Sequence, residues 1–336
     1  MAEQFPSGAA YSHVAILGAG AWGTALAAIA ARAGRRVTLW SRNGALLVDI
    51  SGGENPRDLP GIELPEDISV TSSLAVAAGG EFVILAVPAQ ATRALLKDLV
   101  PLLAKGTPLV LSAKGIERSS GKLLPEILAE EAPGHPVAIL SGPSFAREVA
   151  SGLPTAVTIA AQAALAARLQ MTLSTPSFRP YASDDVTGVA LGGAAKNVYA
   201  IACGIVSGMG LGESARAALL SRSFAELCRL GEAMGARSET LMGLSGLGDL
   251  VLTATSTSSR NYTFGLDVGK GVSREDLYRP GRPLAEGVAT APALVARAHT
   301  HKIELPIAQT TAEILAGEIA LADAIPRLMS RPLKTE

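Results

Sequence analysis

The feature that most constrains the fold is a glycine-rich turn near the amino end of the chain. The segment Gly18-Ala19-Gly20-Ala21-Trp22-Gly23 follows the apolar run of residues 14–17 and opens an alanine-rich stretch. Strand, GxGxxG turn and helix in this order are typical of sheets that bind dinucleotides. There Gly18 would permit the tight turn, Gly20 would let backbone N–H groups approach a pyrophosphate, and Gly23 would let helix and strand pack closely. A glycine-rich turn without a ligand is the alternative.

Short apolar runs continue through the first half of the chain and alternate with helical stretches. They cover residues 14–17, 36–40, 82–87, 109–112, 137–140 and 155–159. Runs that are apolar throughout are expected of strands covered on both faces, and crossover helices then make the sheet mainly parallel. After about Asp184 such runs stop, and apolar residues recur at helical spacing, as from Ile314 to Leu328.

We therefore predict an α/β chain in two domains. Residues 12–184 are expected to form a Rossmann-like, mainly parallel sheet domain that binds a dinucleotide. Residues 185–336 are expected to form an all-helical domain that binds the substrate.

The composition excludes several classes of function. With 48% hydrophobic and 18% charged residues, most of the 336-residue chain is expected to fold. The net charge of −1 comes without a basic block, so no nucleic-acid partner is predicted. Cys203 and Cys228 form no CxxC pair and the four histidines show no ligand spacing, so neither a disulfide scaffold nor a metal site is expected.

An uncharged stretch over residues 14–31 has about the length of a membrane span. An export signal or an anchor is the alternative interpretation. It lacks a basic amino-terminal flank, because Glu3 is the only full charge before Arg32, and it contains glycines at a defined spacing. We expect a cytoplasmic protein with no integral membrane segment.

The segment after the second predicted strand bears on the choice of cofactor. NAD-preferring sheets usually place Asp or Glu here to bind the ribose 2′-hydroxyl, but this chain reads Trp40-Ser41-Arg42-Asn43. A guanidinium at Arg42 would suit a 2′-phosphate, and no carboxylate would repel it. The alternative is a solvated surface arginine. NADPH is favoured, and NADH remains open.

A lone lysine stands in the first long helical stretch. Lys196 is the only charged residue between Asp185 and Glu213. A buried ammonium is costly unless it is paired or performs a task, and burial can lower its pKa enough for general acid or base catalysis. A lysine at a helix end with its ammonium in solvent is the alternative.

A lone aspartate stands in a second apolar stretch, and the same cost of burial applies to its negative charge. Asp249 is the sole charge between Glu239 and Arg260, so it would require a cation or a hydroxyl, unless it caps a helix. The following segment, Ser258-Ser259-Arg260-Asn261, combines hydroxyls, a guanidinium and an amide. Such a grouping suits the oxygens of a phosphate.

Polar residues also follow two predicted strands, at the sheet edge where ligands bind in such folds. Lys114 comes shortly after residues 109–112, and Gly142 and Ser144 follow residues 137–140. If Lys114 lies near Lys196, their repulsion would depress both pKa values, and a phosphate or carboxylate could bind between them.

Taken together, these segments resemble the bacterial type of NAD(P)-dependent glycerol-3-phosphate dehydrogenases over residues 14–307. Besides the glycine-rich turn, the resemblance rests on Ala86-Val87-Pro88, Lys114-Gly115-Ile116-Glu117 and Ser141-Gly142-Pro143-Ser144-Phe145-Ala146. The most specific segments are Gly193-Ala194-Ala195-Lys196-Asn197 and Gly246-Leu247-Gly248-Asp249-Leu250, the latter followed by Ser259-Arg260-Asn261. Ser144 stands where Thr is common, residues 271–283 align only loosely, and an extension through Ser12 falls outside the match.

The resemblance implies roles residue by residue. Lys196 would transfer the proton, with Lys114 and Asp249 beside it in the catalytic group. The residues implied to bind the cofactor are Gly18, Gly20, Ala21, Trp22, Gly23, Arg42, Lys114, Ala146, Arg260, Leu284 and Glu286. Those implied to bind the substrate are Lys114, Gly142, Ser144, Lys196, Asp249, Ser259, Arg260 and Asn261.

The activity implied by the resemblance is the reversible reduction of dihydroxyacetone phosphate to sn-glycerol 3-phosphate with NADPH or NADH. The product would supply glycerophospholipid synthesis, and the resemblance also implies a homodimer. Two alternatives stay open: a related β-hydroxyacid dehydrogenase, and a non-catalytic protein that senses dinucleotides. The latter would have no reason to bury Lys196 and Asp249 as lone charges.

Overall fold

The computed structural model describes residues 9–330, which fall into two compact units. The first unit comprises residues 9–114 and 123–190, and the second comprises residues 115–122 and 191–330. Two parts of the sequence-based prediction lie outside the described residues: most of the extension through Ser12, and residues 331–336 of the predicted substrate domain.

The strands all belong to the first unit. They are β1 (His13–Leu17), β2 (Arg36–Trp40), β3 (Glu54–Asn55), β4 (Leu59–Glu63), β5 (Ile68–Thr71), β6 (Phe82–Leu85), β7 (Leu109–Leu111), β8 (Val137–Ser141), β9 (Thr155–Ala161) and β10 (Phe178–Ser183).

Helices connect the strands of the first unit and then build the second. They are α1 (Ala21–Arg32), α2 (Gly44–Ser51), α3 (Leu74–Ala77), α4 (Thr92–Leu99), α5 (Leu124–Glu131), α6 (Ala146–Ala150), α7 (Ala163–Leu173), α8 (Val186–Gly208), α9 (Glu213–Ala233), α10 (Ser238–Met242), α11 (Asp249–Thr255), α12 (Arg260–Gly269), α13 (Arg274–Leu277), α14 (Glu286–Thr300), α15 (Pro306–Ala316) and α16 (Leu321–Met329).

Eight strands form the main sheet, in the order β10-β9-β8-β7-β6-β1-β2-β5. Every neighbouring pair is parallel except β8 and β9, which are antiparallel. The central strands are buried along their whole length, as expected of a sheet covered on both faces. Strands β3 and β4 form a separate antiparallel hairpin.

The register of the central strands brings their carboxyl ends to one edge of the sheet. Leu17 of β1 pairs with Trp40 of β2 and with Leu85 of β6, and Leu85 pairs in turn with Leu111 of β7. The segments that follow these residues therefore lie side by side at this edge, where sheets of this kind bind ligands.

Most of the long helix α8 belongs to the second unit. By length and hydropathy it could cross a membrane, and it is the one helix among residues 9–330 that could. Its most apolar window is 94% buried inside the structure, and a core helix has the same composition. The uncharged residues 14–31, by contrast, form strand β1, the glycine-rich turn and most of helix α1.

Helices α8 and α12 cross at a distance that only glycine allows. A Cβ atom at Gly204 would overlap the carbonyl oxygen of Tyr262, and one at Gly265 would overlap the carbonyl oxygen of Ile201. The two backbones are therefore in direct contact. Because α8 carries Lys196 and α12 begins at Arg260, this crossing fixes the spacing of two predicted site segments.

The predicted fold class is confirmed: a mainly parallel sheet is followed by helices alone. The six predicted strands are all present. The sequence interpretation did not include β5, β10 or the β3–β4 hairpin, and the apolar pattern from Ile314 to Leu328 forms two helices separated at Gly317.

Candidate functional site

The glycine-rich turn has three glycines in three different environments. Gly18 has φ +116°, and a Cβ there would lie 2.8 Å from the carbonyl carbon of Ala86. A Cβ at Gly23 would overlap the carbonyl oxygen of Gly18, so helix α1 can start against the strand only without a side chain there. At Gly20 a Cβ would meet nothing within 4 Å. The backbone is thus open at Gly20, where a ligand could approach it.

Backbone hydrogen bonds connect the ends of the neighbouring strands at the sheet edge that carries the glycine-rich turn. The N–H of Ala86 donates to the carbonyl of Leu17 at 2.8 Å, and the N–H of Ser112 donates to the carbonyl of Leu85 at 3.1 Å. The ends of β1, β6 and β7 are thereby held in line. Lys114 follows β7 by three residues at this same edge.

Lys114 and Ser144 contact the same carbonyl group. Lys114 Nζ donates to the oxygen of Gly142 at 3.0 Å, and Ser144 Oγ donates to it at 3.1 Å. Both side chains are half-buried. The predicted residues Lys114, Gly142 and Ser144 therefore form one group, and Ala146 follows as the first residue of α6.

The other predicted cofactor residues of this unit lie at helix starts. Ala21 and Trp22 begin α1 and are half-buried. Arg42 is exposed between β2 and α2, next to Asn43, whose Oδ1 caps α2 by accepting the N–H of Leu46 at 3.3 Å. The guanidinium of Arg42 is therefore available to a ligand at the carboxyl end of β2.

In the second unit, the two lone charges pair with each other. Lys196 Nζ forms an ion pair with the Asp249 carboxylate and donates a hydrogen bond to Thr253 Oγ1 at 2.9 Å. Lys196 is 6% exposed and lies in the middle of α8, so the lysine at a helix end is excluded. The ammonium therefore has a fixed orientation inside the protein.

A π-helical turn at Leu244–Gly248 places Asp249 for this contact. It packs on α8 one turn before Lys196, where a Cβ at Gly192 would lie 2.7 Å from the Ser245 carbonyl oxygen. Turns of this type are frequent at functional sites. Gly248, rather than Asp249, occupies the N-cap position of α11, so the capping role considered for Asp249 is wrong.

The segment that begins α12 is held by side-chain hydrogen bonds. Ser259 caps the helix, because its Oγ accepts the N–H of Tyr262 at 3.2 Å, while Arg260 is exposed. Asn261 Nδ2 donates to Asn197 Oδ1 at 2.9 Å, and Asn261 Oδ1 accepts the N–H of Gly287 at 2.9 Å. Asn261 thus links the start of α12 to α8 and to α14.

The remaining two predicted cofactor residues precede or begin α14. Leu284 is exposed, and Glu286 is the first residue of the helix. Glu286 is followed directly by Gly287, whose N–H is the one bound by Asn261. The Asn261 amide therefore connects the first turn of α14 to Asn197 of α8, the residue after Lys196.

The sequence analysis assigned no site role to Thr253 or to Asn197, although Asn197 belongs to one of the segments that carry the resemblance. Both are buried and both contact residues that it did select. The available signals were spacing and adjacency: Thr253 lies four residues after Asp249 on one helix face, and Asn197 follows Lys196 directly.

A buried carboxyl group also contacts helix α8, through Tyr199. Glu226 accepts a hydrogen bond from the Tyr199 hydroxyl at 3.3 Å and from the N–H groups of Ile307 at 2.7 Å and Ala308 at 3.3 Å. Burial raises the pKa of Glu226 to about 7 against the opposing effect of these N–H donors. Burial likewise raises the pKa of Tyr199 well above its usual value, with the neighbouring Glu226 adding to the shift.

Comparison with known proteins identifies the family. A model of the NAD-dependent glycerol-3-phosphate dehydrogenase N-terminus matches residues 13–167, and one of the C-terminus of the same enzymes matches residues 185–326. The chain belongs to the NAD-dependent glycerol-3-phosphate dehydrogenase family. The resemblance inferred from the motifs is thus confirmed, together with the class of enzyme and the nicotinamide type of cofactor.

Relatives in this family are similar over nearly their whole length. Glycerol-3-phosphate dehydrogenases [NAD(P)+] of two Bradyrhizobium strains, BTAi1 and ORS 278, are 57% and 56% identical over 328 residues. The matches cover 97% of this chain, with 99% of the first relative and 98% of the second. The crystal structure of glycerol-3-phosphate dehydrogenase from Coxiella burnetii is 38% identical and has a TM-score of 0.91, covering 96% of this chain and 99% of that one.

Among residues 9–330, no group of three or more His, Cys, Asp and Glu side chains could hold a metal ion. The two cysteines, Cys203 and Cys228, are both free thiols.

Proposed function

We propose that the chain catalyses the reversible reduction of dihydroxyacetone phosphate to sn-glycerol 3-phosphate, with NADPH preferred over NADH. The observation that carries this proposal is the buried ion pair of Lys196 and Asp249, in a chain whose relatives at 56% and 57% identity are glycerol-3-phosphate dehydrogenases. A protein that only sensed dinucleotides would gain nothing from these two desolvated charges.

The glycine-rich turn fits a dinucleotide, because the open backbone at Gly20 leaves space for a pyrophosphate. When bound, the nicotinamide supplies the hydride that reduces the ketone carbon. We assign dinucleotide binding to residues 12–184 and substrate binding to residues 185–336, with some residues serving both. The proposed cofactor contacts are Gly18, Gly20, Ala21, Trp22, Gly23, Arg42, Lys114, Ala146, Arg260, Leu284 and Glu286.

Lys196 is proposed as the general acid. As the ketone is reduced, negative charge develops on its oxygen, and the ammonium of Lys196 gives that oxygen a proton. Asp249 and Thr253 hold the ammonium in one orientation through the contacts described above. In the oxidation direction the neutral amine would take the proton back, so the same pair serves both directions.

The substrate is proposed to be a phosphate ester. Two lysines and one arginine among the proposed contacts favour a dianionic phosphate, whereas the single carboxylate of a β-hydroxyacid would require less positive charge. The proposed substrate contacts are Lys114, Gly142, Ser144, Lys196, Asp249, Ser259, Arg260 and Asn261. The product would supply glycerophospholipid synthesis in the cytoplasm, and we propose that the enzyme is a homodimer.

One assay separates the candidate functions. The oxidation of NADPH and of NADH is followed by absorbance with dihydroxyacetone phosphate and, in parallel, with a β-ketoacid. Turnover of the phosphate ester alone is the expected result. Turnover of the ketoacid alone would favour the β-hydroxyacid dehydrogenase, and cofactor binding without turnover of either would favour the sensor. Analytical ultracentrifugation of the same preparation tests the homodimer.

A further inference from the structure

A short hairpin contacts the glycine-rich turn from outside the main sheet. Along the chain, strands β3 and β4 come after α2 and before β5. Neither belongs to the eight-stranded sheet. The hairpin carries Asn55, a polar residue that is fully buried. A buried amide of this kind must find its hydrogen bonds within the protein.

The Asn55 amide uses three of its hydrogen-bonding positions. Its Nδ2 donates to the Ala19 carbonyl oxygen at 3.1 Å and to Thr24 Oγ1 at 2.8 Å. Its Oδ1 accepts the N–H of Asp58 at 3.1 Å, within the hairpin. Thr24, also fully buried, donates its own hydroxyl to the Ala19 oxygen at 3.2 Å. The carbonyl of Ala19 is therefore held by two side chains.

That carbonyl belongs to the peptide unit between Ala19 and Gly20. In a trans peptide the C=O and the N–H of the same unit point in opposite directions, and this structure contains no cis peptide among its described residues. Holding the Ala19 oxygen on the side of Asn55 and Thr24 therefore turns the Gly20 N–H to the other side. Gly20 is the residue whose surroundings are open.

We propose that Asn55, together with Thr24, is a positioning residue that sets the affinity for the dinucleotide without touching it. This inference rests on the proposed binding of the cofactor at Gly18–Gly23. It assigns the hairpin to the cofactor site, since its amide fixes the direction of a backbone N–H that faces the pyrophosphate. At its other strand the hairpin is held by Arg147 of α6, which donates to the Pro60 carbonyl at 2.9 Å.

The test measures NADPH binding by fluorescence in purified full-length variants. Asn55→Ala and Thr24→Val should each raise the Kd for NADPH about tenfold, because each removes a donor from the Ala19 carbonyl. The KM for dihydroxyacetone phosphate at saturating NADPH should change less than twofold. Thr172→Val is the matched control, since Thr172 is a buried threonine of the same unit that bonds Tyr11 and Arg168 instead.

Asn55→Asp provides a readout that a purely structural role would not change. An ionised aspartate can accept the Asp58 N–H but cannot donate to Ala19, whereas a protonated one regains a donor. Burial favours the protonated form. The Kd of this variant for NADP⁺ should therefore fall towards the wild-type value as the pH decreases from 8 to 5.5, while the wild-type Kd follows no such trend. If Asn55→Ala does not fold, the pH dependence of Asn55→Asp still tests the positioning role.

The variant Gly20→Ala separates this inference from the assignment of the cofactor site. Its methyl group enters the open space at the turn, so it should weaken NADPH binding with little effect on folding. If Gly20→Ala binds NADPH normally, the turn is not the cofactor site. If Gly20→Ala weakens binding while the Asn55 and Thr24 variants bind like Thr172→Val, the cofactor assignment stands and the positioning role is wrong.

Discussion

The Lys196 ammonium and the Asp249 carboxylate form a buried ion pair although 53 residues separate them in the chain. Asp249 has no exposed surface, and Lys196 has almost none. Taking two charges out of water costs several kcal/mol per ion before their attraction offsets it. Replacing a buried ion pair by hydrophobic residues of similar volume is often neutral or stabilising. The pair is therefore better explained by the chemistry of Lys196 than by stability.

Lys196→Ala should abolish most of the activity. Without its proton donor, kcat should fall by about 10²–10⁴-fold, while the Kd for NADPH stays within about twofold. The variant should also unfold more easily, by about 3–5 kcal/mol, because the Asp249 carboxylate remains buried without the positive charge of Lys196. Absorbance assays and urea unfolding on one preparation measure both effects.

The double variant Lys196→Met with Asp249→Leu is the control for this result. It removes both charges, so it should recover most of the lost stability and none of the activity. A near-normal kcat in either variant would exclude Lys196 as the general acid.

Arg42→Ala should weaken NADPH binding selectively. A charged hydrogen bond to the 2′-phosphate contributes about 1–3 kcal/mol, so the KM for NADPH should rise by roughly 5–150-fold while that for NADH changes little. Arg179→Ala, at another exposed arginine of the same unit, should leave both constants unchanged. Equal increases for the two cofactors would show that Arg42 does not contact the 2′-phosphate.

Arg260→Ala should mainly raise the KM for dihydroxyacetone phosphate, with a smaller effect on NADPH. The planar guanidinium binds phosphate oxygens in pairs, and neither water nor an ammonium reproduces that geometry. We therefore expect partial recovery in Arg260→Lys and wild-type kinetics in Arg222→Ala, which alters an exposed arginine on α9. Substrate affinity within twofold of wild type in Arg260→Ala would contradict the assignment.

The carboxyl group of Glu226 should make stability depend on pH. Its pKa is about 7 in the folded protein against an ordinary value of 4.5, so between these values the folded state keeps a proton that the unfolded chain has lost. The free energy of unfolding should therefore decrease as the pH rises from 4.5 to 7. The full change is about 3 kcal/mol for a shift of this size.

Glu226→Gln cannot titrate, so the difference in unfolding free energy between wild type and variant isolates this contribution. Urea unfolding at pH 5, 6, 7 and 8 should show wild type losing stability relative to the variant as the pH rises, with the loss levelling off between pH 7 and 8. Parallel pH profiles for the two proteins would mean that Glu226 is ionised throughout.

Much of the fold follows from local patterns. Strands such as β1 and β6 are apolar along their length because both faces are covered, and this pattern is visible in the sequence. Strand β10 was not predicted because it alternates instead: Phe178 and Pro180 are buried, whereas Arg179 and Tyr181 are exposed. This is the pattern of a strand at the edge of the sheet, and a proline there is tolerated.

The charged residues of the candidate site could be predicted from the sequence. Lys196 and Asp249 are conspicuous because each is the only charge in a long apolar stretch. Thr253 and Asn55 carry no charge, and buried uncharged polar residues are common in cores. Their importance depends on contacts with residues far away in the chain, which local patterns cannot reveal.

The direct backbone contact between α8 and α12 limits how this enzyme can evolve. Where Gly204 meets Tyr262 and Gly265 meets Ile201, no neighbouring side chain exists whose shrinkage could accommodate an added methyl group. Compensating mutations, which normally let cores drift, are therefore not available at these two positions. Descendants of this sequence should retain glycine at both long after the surrounding side chains have been exchanged.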